Sequence, residues 1–507
     1  MLTTLKSIVK LEKNQQVFYT ILLAIVYLIY WPYEAIGNDM VEIIPALKKL
    51  HHPDLYPRDF YLNFVQGLMV HERSFFLYFL YFTGGIVPII LMLIYCCCLF
   101  FFIFGLFKLF QTFISNILFQ LYGILIVLFA LKYTSIGGNE LFYSMPTSAI
   151  FAKTLCVWAI YFFLKEKRWI SYSLIILASY FHVLVGVQIF IILSLVDLIS
   201  NYKRIKFWKL AKPILVYALC IAPYVLALIL SRQNPHTHDN KLVDLVEFRI
   251  GHHFFIQYSS LGSIVLYCII FIAGLFLWNK ENKIIARLYW IQAIILILYL
   301  VFGNLFRNEY LLQFQWLKTT IWIELLTTII LVKKISESLQ LNLNLERKNA
   351  LIAFGFISVL TASRFTTKEN TNSIQEETQL AQWAKDHTDI SALFVYSPYF
   401  TRFKTVSERS SWIDYKAIAH QKAYLIPWAD RVQKIFEIGL QDRRNGSDLV
   451  HLANENYSKI SDEKLAYLFN EQNVDYVILP TRLTESSIMT PVYSSEHYSI
   501  YKKRISN

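Results

Sequence analysis

What most constrains this chain is a series of apolar blocks, each close to the roughly 20 residues that a helix needs to cross a bilayer. They fall at about 17–36, 75–104, 112–131, 148–164, 169–200, 213–230, 259–278, 288–303, 316–332 and 349–362. Lipid offers a backbone no hydrogen-bond partner, so each block must be helical. Charged residues make up only 17% of the sequence, against roughly 25% in a soluble domain. A soluble core helix is shorter and keeps a polar face, so a soluble fold is excluded.

The loops set an orientation. Lys6, Lys10 and Lys13 precede the first block, which places the N-terminus in the cytoplasm. No small-residue cleavage site follows, so the block reads as a retained span. Lys108, then Lys165, Lys167 and Arg168, then Lys280, Lys283 and Arg287, then Lys333, Lys334, Arg347 and Lys348 mark further inner loops. The block at 169–200 is too long for one ordinary span and is basic on both flanks, with Lys203, Arg204, Lys206, Lys209 and Lys212 after it. Both ends are then cytoplasmic. This predicts a hairpin of two short helices with His182 at its outer tip; one long tilted helix is the alternative. Counting the hairpin as two gives about eleven spans, and an odd number puts the tail outside.

The expected fold class is therefore a polytopic α-helical membrane protein of about eleven transmembrane helices with a small C-terminal α/β domain. The membrane domain covers 1–363, with a large first outer loop at 37–74, and the extracytoplasmic domain covers 364–507. In the tail, 376–387, 434–440 and 463–470 read as helices, 390–396 and 474–479 as strands, and 492–493 with 498–501 as a closing hairpin. No internal repeat is evident, which counts against an inverted-repeat transporter. Lys and Arg outnumber Asp and Glu by 48 to 36, but many of them sit in short loops, so nucleic acid is not an expected partner. All six cysteines lie in apolar blocks, which leaves no disulfide framework and no metal-binding cysteine pair.

The outer loops are rich in acids, histidines and aromatics, so the working face is expected outside. The first loop contains Asn38, Asp39 and Glu42, then His51, His52, Asp54 and Asp59. Asn38 or Asp39 can cap a helix on which Val41, Ile44 and Leu47 face one way and Lys48 and Lys49 the other. That pattern predicts an amphipathic helix lying on the membrane surface. Asp39, at the end of the first span, is also placed to act as a base towards an attacking hydroxyl; capping and catalysis stand as alternatives. Structural roles are expected of Glu42, Asp54 and Asp59. The spacing of His51 and His52 matches no metal motif, and no metal ligands are assigned. Gly137-Gly138-Asn139-Glu140 allows close backbone approach to a ligand or serves a turn. The loop 231–258 holds His236, His238, Asp239, Arg249, His252 and His253. Arg249 with His252 and His253 suits a phosphate at the membrane surface, or anchors the next span. Arg307 either simply pairs with Glu309 or is a second cation for a pyrophosphate or phosphate.

This layout resembles the GT-C glycosyltransferases, many-pass proteins with an acidic residue at the start of a large first outer loop. Protein mannosyltransferases and lipid A aminoarabinose transferases are examples. More narrowly, it resembles bacterial multi-pass membrane proteins of GT-C-like layout. The residues that carry this are Phe248-Arg249-Ile250-Gly251-His252-His253, Phe181-His182-Val183-Leu184-Val185-Gly186, Phe403-Lys404-Thr405-Val406-Ser407-Glu408-Arg409, Asp414-Tyr415-Lys416 and Trp428-Ala429-Asp430-Arg431. The resemblance implies Asp39 as the catalytic residue. It implies Arg249, His252, His253 and Arg307 as substrate-binding residues, and His182 and Glu140 stand as further candidates for that role. The paired acids of mannosyltransferases read Asn38-Asp39 here.

The implied function is transfer of a sugar from a polyprenyl-phosphate carrier to a glycan, lipid or protein acceptor on the outer face, in cell-envelope polysaccharide biosynthesis. The implied location is the bacterial inner membrane. Membrane lipids, the lipid-linked donor and the acceptor are the expected partners. A divalent cation is the one cofactor candidate. The alternatives are a flippase or transporter of lipid-linked glycans and a non-catalytic assembly protein. Charged residues within spans are few, chiefly Glu34, Lys153 and Glu324, which disfavours an ion-coupled transporter. In the tail, Ser407, Arg409, Asp414, Lys416 and Arg431 form either a buried ion-pair network or an acceptor-glycan site.

Overall fold

Local breakers decide where the apolar blocks become separate helices. The computed structural model describes residues 2–131, 135–201, 207–231, 241–342, 371–442, 446–481 and 488–504. The last apolar block at 349–362, the division at 363/364, and Lys203, Arg204, Lys206, His236, His238, Asp239, Arg347 and Lys348 lie outside the described residues. The chain forms two compact units, Met1–Tyr33 with Met92–Val225 and His252–Lys368, and Glu34–Leu91 with Leu226–Gly251 and Glu369–Asn507. The segment 37–74 thus falls in the unit that contains the tail.

Among the described residues, five helices are long and apolar enough to cross a membrane. They are Pro88–Gln111, Val183–Asn201, Leu210–Leu230, Leu261–Glu281 and Lys283–Leu305, with shorter apolar helices at Asn14–Tyr30, Ile117–Ala130 and Ser148–Leu164. The described residues do not confirm the expected total of about eleven, and one of the apolar blocks, 349–362, lies outside them. The block at 75–104 is two helices, Ser74–Phe82 and one starting at Pro88, because Gly84 takes φ +74° and proline is accepted at a helix start. Two other blocks end in π-helical turns, Ile126–Ala130 and Tyr299–Leu305. Of the Leu261–Glu281 window only 17% is buried, and Leu261, Ile272 and Ile269 lie open. So much outward apolar surface needs lipid around it; this is a membrane protein.

The block at 169–200 is a helical hairpin. Arg168–Phe181 and Val183–Asn201 meet at His182, whose backbone is extended at φ −150° and ψ 99°. Tyr172 and Ser194 hydroxyls lie 3.2 Å apart across it. At its open end Arg168 Nε donates to both Asp197 oxygens at 2.9 Å.

The second unit is built on a five-stranded sheet. Strands β1 (Leu393–Val395), β2 (Ser410–Ser411), β3 (Tyr476–Pro480), β4 (Met489–Ser494) and β5 (Tyr498–Lys503) lie in the order β2-β1-β3-β5-β4. β1 is parallel to β2 and β3, and β5 is antiparallel to β3 and β4. Leu380, Ala381 and Ala384 of the helix Thr371–His387 pack on Phe394, Ile478 and Ile500 of the sheet. The expected helix at 434–440 is instead the end of Lys422–Phe436, which stops where Glu437 turns left-handed at φ 52°. Met40–His51 is helical, but it is buried on nearly all sides, from Met40 through Leu47 and at Lys49. It is a core helix of this unit and not a surface-lying amphipathic one. Its lysines are accommodated by partners: Lys48 pairs with Glu408 at 2.6 Å, and Lys49 donates to Tyr56 O at 3.0 Å and Asn63 Oδ1 at 2.7 Å.

Candidate functional site

A rigid turn after β2 organises the loop–tail unit. Asp414 is buried, and its Oδ1 accepts from the backbone N–H of Lys416 at 2.9 Å and of Ala417 at 3.0 Å. Its Oδ2 is 2.9 Å from Lys404 Nζ, which lies 3.8 Å from Asp59 Oδ2. Asp59 in turn caps the helix Phe60–Gln66 through Leu62 N and accepts from Ser411 N and Oγ at 3.0 and 2.9 Å. Lys404 and Asp59 side chains are fully buried. Burial alone would lower the Lys404 pKa, but Asp414 and Asp59 outweigh it and raise it. This triad ties segment 34–91 to the tail; it and the carbonyl contacts of Arg409 make much of the expected tail set structural.

Two of the residues singled out in the sequence converge on this turn. Asp39 precedes the helix Met40–His51 but makes no capping bond with its side chain, and Asn38 bonds instead to Glu34 at 3.2 Å. Asp39 Oδ1 lies 3.1 Å from Lys416 Nζ, with half of its side chain (51%) open to solvent. Arg249 donates from Nε to Tyr415 O at 3.1 Å and from Nη2 to Lys416 O at 3.3 Å, and stacks 4.9 Å from the Tyr415 ring centre. The exposed carboxylate of Asp39 and the guanidinium of Arg249 thus share one clamped dipeptide, Tyr415-Lys416.

Buried charge surrounds this point. Glu42 forms an ion pair with Arg73 and accepts from Ile418 N at 3.4 Å. Burial pushes its carboxyl up to about 7, against the pull of Arg73. Burial also opposes ionisation of Glu72, but His420, His71 and Arg73 together outweigh it and hold that carboxyl below its usual range. Among the described residues, no group of three or more His, Cys, Asp or Glu side chains is arranged to hold a metal ion.

The remaining candidates lie in the membrane unit. The helix Lys241–Phe254 is kinked at Ile250, φ −142° and ψ 35°, and the boundary between the units follows Gly251. Arg249 and the two histidines are therefore divided. His253 Nδ1 is 2.7 Å from Gly137 O. Gly137 and Gly138 both have positive φ, and a Cβ on Gly138 would meet His252 Cδ2 at 2.9 Å. The paired glycines thus admit close approach of protein side chains. Lys153 Nζ bonds Asn139 Oδ1 at 2.7 Å and the Glu140 carbonyl. Arg307, at φ 52°, lies 5.2 Å from the Phe255 ring centre. His182 Nδ1 accepts a long bond of 3.5 Å from Val185 N at the hairpin tip.

A domain of unknown function, DUF6798, matches residues 375–435. No curated protein matches the sequence. The fold is similar to an archaeal oligosaccharyltransferase. The crystal structure of the Archaeoglobus fulgidus enzyme in complex with Zn and sulfate matches with a TM-score of 0.50 at 11% identity, covering 92% of this chain and 68% of that one. A second structure, tethered with an acceptor peptide containing the NVT sequon via a disulfide bond, gives 0.46 at 11%, covering 93% and 70%. The first likeness supports a GT-C-like fold for this chain.

Several residues of the site carried little signal in the sequence. Lys404 and His420 stand singly, and His71-Glu72-Arg73 is a short charged run that matches no motif. In the sequence Lys416 stands only as one of a tail set. The one sequence cue to their meeting was the dense charge in 404–416, and it does not say which loop it faces.

Proposed function

We propose that this chain is a GT-C-type glycosyltransferase that moves a sugar from a polyprenyl-phosphate carrier to an acceptor on the outer face of a bacterial inner membrane. The observation that carries the reading is Asp39, a half-exposed carboxylate that does not cap its helix and is held instead by Lys416. A carboxylate so placed can take the proton from an acceptor hydroxyl. The freed oxygen attacks the anomeric carbon of the donor sugar, the bond from that carbon to the phosphate oxygen breaks, and the electron pair leaves with the lipid phosphate. Arg249 uses two of its nitrogens on backbone carbonyls, and its other N–H groups are assigned to the departing phosphate. Glu140, His182, His252, His253 and Arg307 stay candidates for donor binding within the membrane unit.

The experiment is to purify the protein gently and identify its bound lipid by native mass spectrometry, alongside Arg249→Ala. The reading expects a polyprenyl phosphate, with or without sugar, that is lost in the variant. Ordinary phospholipid alone, unchanged in the variant, would speak against it and for a flippase or an assembly role.

A further inference from the structure

The cleft beside β2 holds a cation, Arg431, that forms no ion pair with a carboxylate among the described residues. It has a volume of about 470 Å³ and is lined by Arg58, Phe60, Asn63, Trp412, Arg431 and Gln472 among others. Arg58 is consumed, with Nη1 on Asp475 at 2.7 Å and Nη2 on the Asn473 carbonyl. Asn63 accepts from Lys49 at 2.7 Å and donates to Pro57 O at 2.9 Å. Asp59 is buried beneath, with both oxygens used by Leu62 and Ser411.

Arg431 is different. Its guanidinium lies 3.9 Å from the Phe60 ring centre and 4.6 Å from that of Trp412, and one nitrogen, Nη1, bonds the Trp412 carbonyl. Among the described residues no carboxylate pairs with it. Burial lowers its pKa from the usual arginine value, and the pull of Tyr424, Tyr467 and the buried Asp59 does not offset it. Gln472 supplies a second donor. Its Oε1 accepts from Trp412 Nε1 at 3.1 Å. An indole N–H can only donate, so the amide NH2 of Gln472 is turned away from Trp412 and has no protein acceptor among the described residues.

A stacked, half-buried guanidinium with a free edge is preorganised for a planar oxyanion. We infer that this cleft binds a saccharide bearing an oxyanion, a carboxylate or a phosphate ester, with Arg431 on the charged oxygens and Gln472 on a neighbouring oxygen. Binding stands on the cleft alone; its role as an acceptor subsite rests on the transferase reading above.

The test is calorimetric titration of the purified full chain with a glucuronate-containing disaccharide, with glucose 1-phosphate, with inorganic phosphate and with maltose. One or both anionic sugars should bind, and maltose at least tenfold more weakly. Loss of hydrogen bonds to a charged group predicts a drop of roughly 10- to 100-fold in Arg431→Gln. Gln472→Ala, which leaves the stacked guanidinium in place, should weaken binding by a smaller factor. Asp39→Asn should bind as the parent does, which separates this site from the proposed transfer chemistry. Thermal unfolding checks that each variant is folded. Tighter binding of the uronate names a carboxylate site and of the sugar phosphate a phosphate site. Binding of inorganic phosphate as tightly as either sugar overturns the saccharide assignment. Equal binding of maltose, binding unchanged in both cleft variants, or no binding of any anion by the folded protein overturns the proposal.

Discussion

At the residue scale, the loop–tail unit depends on charges that have left water in company. Lys404 lies between Asp414 and Asp59, all of them buried. Replacing one member of such a set strands the others, so Lys404→Met should cost about 3–5 kcal/mol, read as a large fall in the unfolding midpoint. An unchanged midpoint would show the triad to be incidental. Glu377 provides a pH signature. It accepts from the backbone N–H groups of Arg402 and Phe403 at 2.5 and 2.8 Å, yet burial pushes its carboxyl up to about 7. The folded state then holds this proton at a pH where the unfolded chain has released it. Stability from this group falls as pH rises from about 4.5 to about 7 and is flat above, by about 3 kcal/mol in all. Glu377→Gln should therefore raise the unfolding midpoint more at pH 8 than at pH 5. An equal shift at both would remove Glu377 as the source. Asp39 and Arg249 were legible as candidates because they stand in loops next to apolar blocks. Their shared partner was not, since the Tyr415-Lys416 dipeptide lies far along the chain and only the folded tail brings it to both.

At the element scale, helices that fill an apolar block were plain in the sequence: Ser148–Leu164 has the expected limits. The hairpin was also legible, because basic residues at both ends of a long block force it to return. Direct support would come from cysteines at 172 and 194 in a background without the native ones. The hairpin predicts that a short bifunctional thiol reagent links them. A continuous helix would hold them about 33 Å apart and unlinked. What misled was periodicity taken without tertiary context. Val41, Ile44 and Leu47 draw an amphipathic stripe, but the tail also covers the other side of that helix, and lysines with specific acceptors can enter a core. The two-residue strand β2 and the proline-containing helix Lys422–Phe436 offered no repeat long enough to read. At the loop glycines, Gly138→Val would force a side chain into His252 at a backbone φ of +59°. The variant should lose several degrees of thermal stability, at a cost of about 1–3 kcal/mol; no loss would mean the His252 contact is dispensable.

At the scale of the whole molecule, the chain couples lipid-facing helices with a mixed-sheet unit, and its fold is similar to that of an oligosaccharyltransferase. On the proposed function, this framework serves catalysis through Asp39. The most direct measurement is release of polyprenyl phosphate by the protein in liposomes, given a panel of polyprenyl-phosphate sugars with a membrane glycan extract as acceptor, for the parent and for Asp39→Asn. An exposed ion pair such as Asp39–Lys416 is worth at most about 1 kcal/mol, so the variant should fold and retain bound lipid. Loss of a general base predicts a rate lower by roughly 100- to 10,000-fold. Release at the parental rate by the folded variant would contradict the account.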